Sequence, residues 1–271
     1  MNILPFEKQL QITRSLVEGV SVRATARLVG VEHKTVLRVL LRVGNTCSEF
    51  LDKKIRGIKA RRVQVDEIWT YVFKKQAMLA ETDPVEFGDQ YVFIGIDADS
   101  KLAISHAIGK RNATTAFYFM QDLRDRLATR VQLTTDGFLP YLMAVEDNFG
   151  ADIDFAQLVK VYGKPDNAGP DWYGPPTVLA ATPVKIIGKP DWAHISTSYI
   201  ERQNLTIRMQ ARRFTRLTNA FSKKLENLKA QVALHFAHYN FVRIHQTLRC
   251  TPAMAAGITD HLWNMEDLIT A

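Results

Sequence analysis

Two aspartates in this 271-residue chain occupy positions suited to metal-dependent chemistry. Asp66 falls inside the apolar run 63–69, where an acidic side chain is unexpected. Asp136 ends the run 131–135, and Gly137 after it lets the chain turn away and leaves the carboxylate at the end of a strand. Two carboxylates held together repel each other unless a cation neutralises them. Because Mg²⁺ and Mn²⁺ prefer oxygen ligands, we predict a divalent-metal site.

A third carboxylate, Glu201, lies near the start of a predicted basic helix. Ser198 precedes it with the spacing of a capping box, so one interpretation is that Glu201 only caps the helix. Arg208 lies two helical turns further along the same face, which favours a metal ligand beside a basic row that follows a DNA strand. We therefore predict Glu201 as the third ligand.

The same helix offers contacts for a nucleic acid. Asn204 lies three residues beyond Glu201 on one helix face and is a candidate for substrate contact. Arg208, Arg212 and Arg213 are the predicted phosphate contacts, and the alternative is a solvated basic face.

Two other polar residues are candidates for a supporting role. Glu67 adjoins Asp66 but should point to the opposite face of the strand, which favours a structural or supporting role. His194 could orient a water or contact a phosphate, although a polar loop histidine is the commoner outcome. His235 and His238 lie among aromatic residues with no Cys or carboxylate to complete a ligand set, so we predict no zinc site.

Alternating and apolar runs predict the elements that position these carboxylates. Strands are predicted over 63–73, 91–98, 102–108 and 131–135. A helix is predicted over 112–128, before the last strand. A three-strand meander followed by a helix and a fourth strand is the element order of the ribonuclease-H-like α/β fold. In that fold the first and fourth strands are neighbours, so Asp66 and Asp136 would converge.

Helical periodicity dominates the N-terminal segment, with helices predicted over 7–18, 22–29 and 32–43. Ser21 can cap the second helix, and Gly30 suits the left-handed position after it. The pair resembles a helix-turn-helix, whose second helix enters the major groove of DNA. The predicted DNA contacts on that helix are His33, Lys34, Thr35, Arg38 and Arg42. The alternative is a small three-helix bundle with a basic surface.

Charge is distributed unevenly beneath a net value of +7. Residues 1–62 carry 13 basic and 5 acidic side chains, and residues 202–249 carry 10 and 1. The intervening residues 63–201 carry 12 basic and 19 acidic side chains, and the tail has 3 acidic ones. Two basic segments around an acidic one are typical of a protein that holds nucleic acid and keeps carboxylates for another purpose.

Together these motifs resemble prokaryotic transposases with an Asp-Asp-Glu triad, closest to those of the insertion sequence one family. The resemblance rests on residues 66–72, 135–141, 200–208 and 221–224. It implies a retroviral-integrase-like core in which Asp66, Asp136 and Glu201 bind two divalent ions, Mg²⁺ or Mn²⁺. It further implies binding to transposon terminal inverted repeats, strand cleavage there, and strand transfer into target DNA.

The resemblance also implies an order of domains. We expect a helix-turn-helix domain over residues 1–50 and a basic linker over 51–62. A catalytic domain should follow over 63–250 and a C-terminal tail over 251–271. A Pro/Gly-rich segment near 163–191 departs from the family and is predicted to be a loop insertion. The chain near its end is more like integrase-type relatives.

Partners and location follow from the same features. Pairing of two transposon ends on double-stranded DNA implies a homodimer or a larger assembly. The N-terminus lacks an apolar export core, no run is apolar enough to span a membrane, and Cys47 and Cys250 stand far apart. We therefore expect a cytoplasmic, nucleoid-associated prokaryotic protein with reduced thiols. The alternatives are a non-catalytic DNA-binding regulator derived from a transposase, and a ribonuclease-H-like nuclease without strand transfer.

Overall fold

The chain begins with three helices in the computed structural model, which describes residues 4–163 and 177–271. They are α1 (Phe6–Val17), α2 (Val22–Val29) and α3 (His33–Lys54). The first two lie within one residue of their predicted limits. As predicted, the side chain of Ser21 accepts a hydrogen bond at the start of α2, and Gly30 ends it with a φ of 66°.

Helix α3 ends eleven residues later than predicted, at Lys54 and not at residue 43. Gly44 does not terminate the helix, because the apolar stripe continues through Cys47, Phe50 and Leu51, all buried. Gly44 instead permits a close approach, since a Cβ atom built on it would lie 2.5 Å from Ala230.

The end of α3 also takes up part of the predicted basic linker. Residues 51–54 are helical, and Ile55, Ile58 and Ala60 after them are buried. Arg126 reaches back to this segment, donating hydrogen bonds to the carbonyl of Ile55 (3.1 Å) and to the carboxylate of Asp52 (2.8 Å). The segment is therefore packed onto the sheet domain.

A six-stranded mixed sheet forms the centre of the molecule, in the order β3-β2-β1-β4-β5-β6. Its strands are β1 (Arg62–Val72), β2 (Gly88–Asp97), β3 (Ala103–Gly109), β4 (Gln132–Thr135), β5 (Asp154–Gly163) and β6 (Thr177–Ile187). The first three form an antiparallel meander, and β4 lies parallel to β1. This confirms the α/β prediction and the expected neighbours β1 and β4.

Strand β6 corrects the prediction of a loop insertion over 163–191. Residues 177–187 pair with β5 in antiparallel fashion and form the edge of the sheet. Pro183 is tolerated there because an edge strand needs fewer backbone donors. Residues 164–176 of the predicted insertion lie outside the described residues.

Helices cover both faces of the sheet. Helices α4 (Ala113–Arg126) and α5 (Pro140–Phe149) pack on one face. Helices α6 (Ser198–Gln210) and α7 (Leu225–Ala237) pack on the other, and a π-helical turn, His238–Val242, extends α7. Two short helices, α8 (Pro252–Ala255) and α9 (Met265–Thr270), follow. Among the described residues, no helix has the length and apolarity needed to cross a membrane.

Candidate active site

The register between the neighbouring strands β1 and β4 brings Asp66 and Asp136 close together, on the side of the sheet where β4 ends. Gln64 is paired with Thr134 in this parallel ladder, and the two aspartates each lie two residues further on. Carboxylate oxygens of Asp66, Glu67 and Asp136 lie within 4.8 Å of one another. The predicted convergence of the two aspartates is therefore observed, and Glu67 joins them.

Asp66 is held by two hydrogen bonds and surrounded by negative charge. Its Oδ1 accepts from the backbone N–H of Glu67 (2.9 Å), and its Oδ2 accepts from Nδ2 of Asn204 (2.8 Å). Burial raises the pKa of Asp66 to about 7, and the carboxylates of Glu67 and Asp136 contribute in the same direction. A cation at this position would relieve the repulsion between the carboxylates.

Asp136 lies just beyond the end of β4. Its Oδ1 accepts from the backbone N–H of Phe138 (3.0 Å), and its Oδ2 lies 3.6 Å from Nη2 of Arg111. Burial raises its pKa, while the Phe138 N–H, Arg111 and Lys160 oppose that rise. The carboxylates of Asp66 and Asp136 thus lie close together, although the residues that hold them come from different elements.

Glu67 reaches the cluster from the other side of β1. Its side chain is 3% exposed, accepts a hydrogen bond from the Tyr141 hydroxyl (2.9 Å) and forms an ion pair with Arg111. These partners lie on the α4–α5 side of the sheet, whereas Asn204 holds Asp66 from α6. The strand alternation was therefore predicted correctly, but the contact between the two carboxylates was not. Burial raises the pKa of Glu67, and Asp136 adds to the rise against the effect of Arg111.

Glu201 lines the same cleft, in the first turn of α6, without joining the cluster of three carboxylates. It accepts a hydrogen bond from the Thr197 hydroxyl (2.6 Å), forms an ion pair with Lys160 and remains 48% exposed. Thr197, not Ser198, occupies the position before the helix, and no capping hydrogen bond from its side chain is present there. The alternative of a capping box at Ser198 is therefore wrong.

The cleft that contains these groups encloses about 520 Å³. Two basic residues also line the cleft and pair with the carboxylates. Lys160 pairs with Glu201, and Arg111 pairs with Glu67 and Asp136. Oxygen ligands from Asp66 and Asp136, with Glu201 lining the same cleft, fit divalent ions such as Mg²⁺ or Mn²⁺. Each aspartate oxygen that accepts one hydrogen bond keeps a second lone pair for a cation.

Several predicted residues lie elsewhere or act differently. The ring of His194 pairs with the carboxylate of Asp191 (2.7 Å), and His194 does not line the cleft. Asn204, predicted to contact substrate, donates its side-chain N–H to Asp66. Arg208 is half-buried on the same helix, where burial and the charge of Arg216 lower its pKa.

The basic row after Glu201 is not one continuous helix. Helix α6 ends at Gln210, and a short 3-10 turn, Arg212–Phe214, follows. Arg213 turns inward and donates a hydrogen bond from Nη1 to the Ser222 hydroxyl (2.9 Å). On the N-terminal helices, His33, Lys34, Arg38 and Arg42 are exposed and Thr35 is partly buried.

Three residues around the carboxylates were missed by the sequence analysis: Arg111 and Lys160, which line the cleft, and Tyr141, which is buried against Glu67. Arg111 follows β3 as an ordinary polar residue, and Lys160 lies in a strand with no motif around it. Tyr141 falls within the segment 135–141 that carries the resemblance, but nothing in its type or spacing indicates a contact with Glu67. Only the fold brings these residues to the carboxylates.

Comparison with known proteins gives distant structural similarity alone. No protein-family model and no curated protein matches the chain. A Mos1 strand transfer complex matches with 17% identity and a TM-score of 0.25, covering 57% of this chain and 59% of that chain. A piggyBac transposase synaptic complex with hairpin DNA matches with 10% identity and a TM-score of 0.42, covering 100% and 72%. This chain thus spans less than two thirds of the Mos1 chain.

Proposed function

We propose that this chain is a DNA transposase that cuts at transposon terminal inverted repeats and joins the freed ends to target DNA. The observation that carries the proposal is the carboxylate cluster at the ends of the neighbouring strands β1 and β4, with Glu201 lining the same cleft. Asp66, Asp136 and Glu201 are assigned as ligands of two divalent ions, Mg²⁺ or Mn²⁺.

The bound ions would lower the pKa of the attacking water or 3′-hydroxyl and neutralise the charge on the leaving oxygen. The protein's own groups fix the geometry of the carboxylates. Asn204 and the Phe138 N–H each hold one aspartate oxygen, at 2.8 and 3.0 Å, so these two ligands are oriented before an ion binds. Arg111 and Lys160 place positive charge in the cleft, where the scissile phosphate would lie.

Cleavage and strand transfer are both displacements at phosphorus, so the same carboxylates can serve both steps. In the first step water attacks the phosphodiester and a 3′-hydroxyl leaves. In the second step that 3′-hydroxyl attacks a phosphodiester of the target. A bond forms between its oxygen and the target phosphorus, the bond from that phosphorus to the target's own 3′-oxygen breaks, and this oxygen leaves as a 3′-hydroxyl with the proton. No covalent link between protein and DNA forms.

The N-terminal helices are assigned to recognition of the transposon end. This assignment is supported by the short connection between α2 and α3 and by the exposure of His33 and Lys34 at the start of α3. The proposed DNA contacts there are His33, Lys34, Thr35, Arg38 and Arg42. Asn204, Arg208, Arg212 and Arg213 are assigned to DNA contacts along α6 and the turn that follows it. Two ends must be paired, so we expect a homodimer or larger assembly.

The proposal is tested by incubating the protein with Mg²⁺, a labelled duplex that carries the inverted repeats flanking its gene, and a supercoiled target. We expect joined products from the wild-type protein. Asp66→Asn, Asp136→Asn and Glu201→Gln should each abolish cleavage and joining while retaining binding to the duplex. Asp147→Asn, an exposed carboxylate on α5 outside the cleft, is the matched control and should retain full activity.

The same experiment separates the alternatives. Cleavage without joined products would indicate a nuclease with this core, and binding without any chemistry would indicate a DNA-binding regulator. Retained cleavage in the Asp66, Asp136 or Glu201 variant would contradict the proposed site.

A further inference from the structure

A second cleft lies between the N-terminal helices and the connection from α6 to α7. It encloses about 830 Å³ and is lined by basic residues from both sides. Arg23 and His33 come from α2 and α3, while Arg212, Arg213 and Lys223 come from the α6–α7 connection. The two sides belong to the two basic segments of the sequence.

The two walls of this cleft are held close together. The turn after α1 packs against the last turn of α6, where a Cβ atom on Gly19 would lie 2.8 Å from the carbonyl oxygen of Met209. Gly19 has a φ of 78°, which a side chain would also disfavour. The separation between the basic groups is therefore fixed by backbone packing.

Arg213 is the deepest charge in the cleft wall, and its charge is uncompensated. One guanidinium nitrogen, Nη1, donates to the Ser222 hydroxyl at 2.9 Å. Its Nε and Nη2 atoms are buried and have no acceptor among the described residues. Burial lowers the pKa of Arg213 to about 10. A buried charged donor without a partner is costly, so an anion nearby would stabilise it.

Nothing else in the described lining supplies that anion. None of the described residues that line the cleft is Asp or Glu. Two lining amides also have unpaired buried atoms, Nε2 of Gln231 and Oδ1 of Asn227. An amide N–H donor and several cationic groups around one cavity match the oxygens of a phosphate group.

We propose that this cleft is a binding site for a phosphate group, separate from the carboxylate site. Two sources share this chemistry: the backbone of a bound DNA strand, and a free phosphate compound. The DNA source rests on the proposed function, since the strand would pass from α3 towards the first cleft. The phosphate site itself does not rest on it.

The first measurement uses inorganic pyrophosphate as the probe, without divalent metal and at constant ionic strength. Pyrophosphate should raise the Tm of the wild-type protein more than an equal ionic strength of chloride does. Arg212→Gln and Lys223→Gln, both at positions with solvent access, should lose most of that shift. Lys229→Gln removes one exposed charge from α7 outside the cleft and should keep it. Arg213→Gln is a further variant, and the conclusion does not depend on its folding.

The second measurement follows binding of a short duplex of random sequence by fluorescence anisotropy at increasing salt. If a DNA phosphate occupies the cleft, each of the two variants should lower the slope of log affinity against log salt by about 1, and Lys229→Gln should not. A lost pyrophosphate shift with an unchanged slope supports the site and identifies a free phosphate compound as its ligand. The proposal is overturned if neither measurement separates Arg212→Gln and Lys223→Gln from Lys229→Gln. No cleavage is measured, so failure here is distinct from failure of the proposed function.

Discussion

Glu67 and Glu201 are the two residues that could complete the site beside the aspartates, and their exposure to the cleft distinguishes them. Glu67 is 3% exposed, does not line the cleft, and pairs with Arg111 and Tyr141. Glu201 is 48% exposed and faces the open cleft, with Lys160 as its charged partner. We therefore assign Glu67 to positioning and Glu201 to binding the ions.

This assignment predicts different effects of the isosteric amides. Glu67→Gln keeps an acceptor for Tyr141 but loses the ion pair with Arg111, so cleavage should fall by about 10–100-fold, as for the partner of a ligand. Glu201→Gln removes a ligand and should leave no detectable cleavage. The measurement is the rate of duplex cleavage over a range of Mn²⁺ concentrations, with circular dichroism to verify folding. A larger loss in Glu67→Gln than in Glu201→Gln would reverse the assignment.

The sequence alone was sufficient for the two aspartates but not for their surroundings. An acidic residue inside an apolar strand and another at the end of a parallel neighbour are visible as exceptions to a pattern, and the register of β1 with β4 follows from the fold. Arg111 and Lys160 break no pattern in the chain. Their contacts with the carboxylates arise from tertiary packing, which the hydrophobic periodicity of the sequence does not reveal.

The secondary-structure elements were predicted well wherever a local signal marked their ends. Helix α2 has a serine cap and a left-handed glycine, and both the cap and the glycine are observed. Gly44 gave the opposite lesson, because a glycine that permits close helix packing has the same sequence signal as one that ends a helix. Strand β6 was missed because Pro183 and the neighbouring Pro/Gly-rich residues argue against a strand in the sequence. An edge strand nevertheless tolerates a proline.

The packing of α3 on α7 predicts the effect of Gly44→Ala. An added Cβ would lie 2.5 Å from the Cβ and carbonyl oxygen of Ala230, so one helix must shift. Overpacking of this kind costs about 1–3 kcal/mol, which exceeds or cancels the gain of about 1 kcal/mol in helix propensity. We expect a lower midpoint in urea denaturation. Asn45→Ala, at the exposed neighbouring position, is the control, and a Gly44→Ala protein more stable than that control would contradict the close contact.

Across the whole molecule, folding redistributes the charge blocks of the sequence. The acidic segment supplies its own cations, since Arg111 and Lys160 come from residues 63–201 and pair with the carboxylates of the first cleft. The two basic segments instead meet each other, with Arg23 and Arg212 lining one cavity. The first cleft is thus locally more balanced, and the second more positive, than segment totals indicate. Repulsion within the second cleft is what a bound anion would relieve.

The buried histidines near the end of α7 make the stability of the whole molecule depend on pH. His235 and His238 are 1% and 7% exposed, and their Nδ1 atoms have no hydrogen-bond partner among the described residues. Burial lowers the pKa of His235 to about 3, with His238 and Arg243 adding to the effect. Burial and Arg243 lower the pKa of His238 to about 4. Both rings therefore stay neutral in the folded protein at pH values where exposed histidines are protonated.

In the unfolded chain these histidines regain a pKa of about 6.5. Below that pH the unfolded state binds protons that the folded state does not, so the free energy of unfolding should fall with decreasing pH, by about 1.4 kcal/mol per unit for each histidine. Urea denaturation between about pH 8 and pH 5 measures this slope. His235→Gln should reduce the slope by one histidine's share whatever its effect on stability at pH 8, because Gln does not titrate. A slope in His235→Gln equal to that of the wild-type protein would contradict a neutral His235 in the folded protein.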